Sequence, residues 1–181
     1  MSQYYYAVSS LPQLYFESES YPSSEQFLTL CEENLSKGDL HAVRMLDDAE
    51  GNIGGPSLLK KWSAWNRSFK ADLAILRGQQ LGKNVEDYQQ IERVSGTEDL
   101  AREAFQAANP LAAEEVVERG RWQVLEELEV GHYFDLQKLL IYKLKISILD
   151  RMSSFDKDKG QQKFRELYDT VTEEKIGVQP E

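Results

Sequence analysis

Cysteine is almost missing from this chain. Cys31 stands alone, so no internal disulfide can form. Its place on a helix face beside Phe27 and Leu35 predicts a buried, reduced thiol, as suits the cytoplasm. Histidine is nearly as scarce. Glu129-x-x-His132 has the spacing of a di-iron helix pair, but such a site needs a second copy. The other histidine, His41, has no matching carboxylate after it, and Gly131 falls inside the motif. A surface pair is expected there, with no metal and no other cofactor. No G-x-S-x-G elbow is present, and no catalytic residue can be named. Long apolar runs are absent too. The richest segment, Leu136 to Met152, is interrupted by Lys138, Lys143, Lys145 and Asp150, which excludes a membrane span. The opening MSQYYYAVSSLPQLYF lacks the basic start and apolar core of a signal peptide. Basic charge is in deficit, with 21 Lys and Arg against 31 Asp and Glu and a formal charge of -10. Such a chain repels a phosphate backbone, which argues against nucleic acid as a partner.

What the chain does have is helical periodicity. From Pro56 to Gly82, the residues Leu58, Trp62, Trp65, Phe69, Leu73 and Leu76 recur every three or four positions. A continuous helix here spans ~40 Å and carries an aromatic stripe that must pack against neighbours. Leu136 to Met152 is apolar on two opposite faces, and this predicts a helix sandwiched between others. Its lysines are confined to narrow strips, Lys138 with Lys145 and Lys143 with Ser147 and Asp150.

Punctuation places the remaining elements. Ser23 with Gln26 reads as a capping box, and Gly38 as the stop of that helix. Asp39 opens a short helix around Leu40, Val43 and Leu46. Residues 50–55 form a glycine-rich connection. Gly82 and Asn84 end the long helix, a short piece surrounds Tyr88, and Thr97 starts another. Asn109-Pro110 begins the next, which Gly120 is expected to stop, leaving Arg121 to Val130 as a separate helix closed by Gly131. Gln161 to Thr172 reads as a last amphipathic helix. Tyr4 to Ser9 and Leu14 to Phe16, rich in aromatics around Pro12, read as short extended pieces. The expected fold is an all-α multi-helix bundle with a small extended N-terminal element. It divides into an aromatic-rich arm (1–21), a helical body (22–175) that admits two sub-bundles joined near 50–55, and a loose tail (176–181).

Candidate functional residues follow from charge and exposure. The glycine-rich turn before the long helix lacks the phosphate-loop spacing and reads as a hinge. Trp62, Trp65 and Phe69, with Arg67 and Lys70 nearby, admit a base-stacking reading, but aromatics at core spacing favour the core. Lys60, Lys61, Arg67 and Lys70 form the most basic local surface on an acidic chain. They are candidate partner contacts, together with the tyrosine-rich arm Tyr4, Tyr5 and Tyr6. Asn66 and Arg77 are candidate polar anchors inside the fold.

Three segments together suggest a family. WNRSFKADLAILRGQQLGKN, with Asn66, Leu73, Arg77 and Gly82 in the form N-x6-L-x3-R-x4-G, resembles a helix of the C-type socket protein of V-type ATPases. AREAFQAANPLAAEEVV and HYFDLQKLLIYKLKISIL are similar to two further helices of that socket. YYYAVSSLPQL resembles a small uncharacterised bacterial family whose genes lie among those of V-type ATP synthases. The socket is all-helical, couples the central stalk to the membrane rotor ring and is not itself an enzyme. The chain is too short for the three helical domains of the full socket, and its start differs. The resemblance therefore implies a connector or an accessory component of the synthase, at the cytoplasmic side of the inner membrane. Its partners would be stalk or ring subunits of the V-type ATP synthase. A free-standing helical adaptor is the alternative, and an enzyme with an unrecognised site is a third reading that no residue favours.

Overall fold

In the computed structural model, residues 3–46 and 56–155 are described, and every regular element among them is a helix. The all-α bundle expected from periodicity is the fold. The helices are α1 (Gln3–Ser9), α2 (Ser24–Asn34), α3 (Lys37–Arg44), α4 (Ser57–Gln80), α5 (Glu86–Gln89), α6 (Thr97–Gln106), α7 (Pro110–Glu129) and α8 (Leu136–Ser153). The glycine-rich connection at 50–55, the helix expected at Gln161 to Thr172 and the tail lie outside the described residues.

Packing runs as a chain of neighbours, α4 on α6, α6 on α7 and α7 on α8, while α1, α2 and α3 cover the other side of α8. This is why α8 needs two apolar faces. Leu139, Leu140, Ile141, Tyr142, Ile146, Ile148 and Leu149 are all buried, and Leu144 is half-buried. Tyr142 stacks on Phe27 of α2 at 5.5 Å and donates its hydroxyl to the Pro12 carbonyl at 2.9 Å, which ties the N-terminal segment to α8. Buried residues from α1, α2, α3, α4, α6, α7 and α8 belong to one hydrophobic cluster. Cys31 is inside it, and burial pushes its thiol up to about 12. It is thus a packing residue rather than a nucleophile.

Several caps sit where the sequence puts them. Ser23 Oγ accepts from the Gln26 N–H at 3.1 Å and Gln26 Oε1 accepts from the Ser23 N–H at 2.9 Å, so the capping box is complete. Asn109 accepts from the Ala112 N–H ahead of Pro110, and Asp135 accepts from the Lys138 N–H at the start of α8.

Three local expectations are overturned. Tyr4 to Ser9 is helical, not extended. Tyr4, Ala7, Val8 and Leu11 recur at helical spacing and pack against the core, so tertiary burial overrides the β-preference of a tyrosine run. Residues 10–23 have no regular structure, and Leu14 to Phe16, expected as a short extended piece, forms no strand. Gly38 does not close α2. Leu35 turns extended at the end of that helix, Ser36 caps α3, and Gly38 is the second residue of α3. Gly120 does not stop α7, which is continuous from Pro110 to Glu129. Its role is proximity: a Cβ there would press on the Leu100 side chain of α6, with Cγ at only 3.1 Å. Glycine lets α6 and α7 approach at a cost of about 1 kcal/mol in helix propensity.

Candidate functional site

The long helix α4 carries five cations, Lys60, Lys61, Arg67, Lys70 and Arg77, and a single carboxylate, Asp72. All five cations are exposed, while Asp72 is buried. At 3.6 residues per turn, Lys60, Arg67, Lys70 and Arg77 fall within an arc of about 100°, over a length of about 25 Å. None of the five forms an ion pair or side-chain hydrogen bond with a described residue. Most other described cations differ. Arg44, Arg93, Arg102, Arg119, Arg121, Lys138, Lys145 and Arg151 all have carboxylate partners. Among the described residues, cations without carboxylate partners are thus concentrated on α4, with Lys37 and Lys83 outside it.

The opposite side of α4 explains how that face is held. Trp62, Trp65 and Phe69 point into the core and stack in series, with centroids 5.9 and 5.6 Å apart and interplanar angles of 9° and 6°. Their exposures are 8%, 7% and 2%, so these rings are not available to bases. Trp65 also forms part of the floor of an open groove of about 450 Å³ between α4, α6 and α7, with Lys61, Gln123 and Glu127 among its lining residues.

The two candidate anchors do different things. Asn66 is half-buried and donates Nδ2 to the Trp62 carbonyl of its own helix at 3.0 Å. Arg77, expected to be partly buried, is exposed and contributes to a surface groove instead. Sequence reasoning missed the anchor that α4 does use. Thr97 Oγ1 donates to Asp72 Oδ2 at 2.6 Å. Its single proton is then committed, so Ser68 Oγ, 2.8 Å away, is the donor to Thr97. Ser68 in turn accepts from the Val94 N–H at 2.9 Å, and Arg93 pairs with Asp72. Ser68 and Asp72, one turn apart and inside the buried stripe, were the available signal.

Of the arm tyrosines, Tyr4 is half-buried and donates to Asp39 Oδ2 at 3.0 Å. Tyr5 and Tyr6 are exposed. Tyr5 lies against Phe134 of the α7–α8 turn at 5.0 Å, next to the exposed Tyr133. A small aromatic patch therefore stands at this end of the bundle.

Residues 77–175 match the family described as Protein of unknown function (DUF2764), a span of more than half the chain. The chain belongs to this family. The description assigns DUF2764 neither activity nor partner. Arg77 is the first matched residue, so Lys60, Lys61, Arg67, Lys70 and the arm tyrosines precede the span, whereas α5 to α8 fall within it. No curated protein and no solved structure matches the chain.

Inside the DUF2764 span, Glu129 and His132 do not converge on a common point. Gly131 has φ +87°, which ends α7 between them. Glu129 pairs with Lys138 and Lys145, and His132 Nδ1 lies 2.6 Å from Asp135 Oδ2. No group of three His, Cys, Asp or Glu residues able to hold a metal occurs among the described residues. No described helix is long and apolar enough to cross a membrane.

Glu129 is a clamp between α7 and α8. Lys145, itself buried, also lies over the Trp122 ring at 5.0 Å. Burial pushes the Glu129 carboxyl up, but hydrogen bonds and charge from Lys138 and Lys145 outweigh this and hold it below the ordinary glutamate value. A carboxylate with a lowered folded pKa stabilises above its unfolded value, and that stabilisation is lost as pH falls through the folded value. Denaturation of Glu129→Gln against wild type should therefore show a deficit at pH 7 that shrinks once pH drops below ~4.3. A pH-independent deficit would assign the clamp to packing alone.

Proposed function

We propose that this chain is a non-catalytic connector or accessory subunit of a bacterial V-type ATP synthase, docking on acidic surfaces of stalk or ring subunits at the cytoplasmic side of the membrane. The observation that carries the docking role is the exposed side of α4, where Lys60, Arg67, Lys70 and Arg77 share one arc, Lys61 stands about 100° from Lys60, and all five lack carboxylate partners among the described residues. Eight of the other described cations have carboxylate partners while these five stay available, and complementary charge supplies steering and register to a protein interface. The choice of machine rests on the resemblance of the α4, α6–α7 and α8 segments to the V-type socket protein. A formal charge of -10 disfavours a polyanion as the partner.

Affinity purification from the source bacterium, at low and high salt, tests the proposal. Wild type should recover a stalk or ring subunit in low salt and lose it as salt screens the contact, over a Debye length of ~8–10 Å near physiological strength. Lys60→Glu with Lys61→Glu should lose it at both. Recovery of no synthase subunit under any condition would turn the reading to a free-standing adaptor.

A further inference from the structure

The C-terminal end of α4 carries a second groove, of about 400 Å³, between the helix, the turn that follows it and α5. Its apolar lining comes from Leu73, Leu81, Val85 and Tyr88, and its polar rim includes Lys70, Arg77 and Lys83. No carboxylate lines it. Leu81 is 67% exposed and Tyr88 43%, so two large apolar side chains face solvent between three cations. On a chain with an acidic excess, this combination of apolar floor and cationic rim is selective.

The groove is preformed. Gly78 has no Cβ, and one built there would collide with Val85 Cγ1, so the turn folds directly onto α4. The Lys83 N–H donates to the Gly78 carbonyl at 2.9 Å. Arg93 donates to the Tyr88 carbonyl at 2.9 Å while pairing with Asp72, which pins α5 to the buried network. A groove with fixed walls loses little conformational freedom when filled.

We infer that this groove seats an acidic amphipathic helix of a partner protein. Apolar residues at i, i+3, i+4 and i+7 of such a helix would cover Leu73, Leu81 and Tyr88, and its flanking carboxylates would reach Lys70, Arg77 and Lys83. A nucleic acid strand fits less well, since it offers no aliphatic ridge to cover Leu81 and meets a net negative protein. The inference rests on the reading of this chain as a docking subunit, not on which machine it serves.

The test uses the purified full chain and a fluorescent synthetic helix with a leucine stripe and glutamates on its polar face. Controls are the same stripe with lysines, the same composition with the stripe scrambled, and a single-stranded oligonucleotide. The glutamate helix should bind with an affinity that falls with salt, and the three controls should bind at least about tenfold more weakly. Lys70→Glu with Arg77→Glu, and separately Leu81→Ser, should each weaken binding about tenfold, while Tyr5→Ala leaves it unchanged. Circular dichroism checks that each variant is folded, and because the four substituted residues are exposed, an intact helical signal is expected. Absence of binding, equal binding of the lysine helix or the oligonucleotide, or loss of binding on Tyr5→Ala overturns the inference. The connector reading fails separately: a folded groove that binds the helix, with no synthase subunit recovered from cells, would discard the machine and keep the groove.

Discussion

Replacing Trp65 by alanine should lower the unfolding free energy by ~3–5 kcal/mol, the usual cost of deleting a large core aromatic. The ring is 7% exposed and stacks on both Trp62 and Phe69, so the substitution removes buried area and two ring–ring contacts together. Stacked aromatic pairs contribute about 0.5–1.5 kcal/mol beyond area. Collapse around the hole is restricted, because Trp62 and Phe69 are fixed on the same helix and α6 and α7 are held close by Gly120. The effects of Trp65→Ala and Trp62→Ala should not add, since the two side chains touch. Urea denaturation at constant m-value measures the loss. A near-wild-type midpoint would mean that the stripe contributes little to the core.

Asp72→Ala comes second, with an expected loss of ~2–3 kcal/mol. The substitution strips the acceptor from Thr97 and the carboxylate from Arg93. Arg93 is 36% exposed at its side chain, so solvent screens its half of the network, and the buried hydrogen bond to Thr97 carries more of the effect. The damage should also be local. Arg93 links Asp72 to the Tyr88 carbonyl, and Ser68 accepts from Val94, so this network ties residues 88–97 to α4. Amide exchange in that segment should accelerate more than in α8. Uniform acceleration across the chain would show that the network serves global stability only.

The elements that the sequence made legible are those whose signal is local. The Ser23–Gln26 box, the Asn109-Pro110 start and the long α4 and α8 patterns need no knowledge of neighbours. The elements that were misread depend on partners far along the chain. Gly120 reads as a stop because helix propensity alone disfavours glycine, whereas its reason is Leu100 on another helix. Tyr4 to Ser9 reads as extended because tyrosines favour strands, and its helical burial against α2 and α8 is a tertiary fact. The same division holds at the candidate site. Lys60, Lys61, Arg67 and Lys70 could be counted onto one helix directly, and all four are exposed, with Lys60, Arg67 and Lys70 on one arc and Lys61 about 100° away from Lys60. That they lack carboxylate partners among the described residues, and that Arg77 joins Lys70 and Lys83 around a groove instead of anchoring the core, required the fold.

The central claim is that the exposed cations of α4 meet an acidic partner. Acylation footprinting of lysines, with the chain free and then in a complex purified at low salt, tests it most directly. Lys37 on α3 is an internal control, since it is exposed and lies on another helix. Lys60, Lys61 and Lys70 should lose reactivity in the complex, with Lys37 unchanged. A bound chain in which Lys60, Lys61 and Lys70 react as fast as in the free protein would contradict the account.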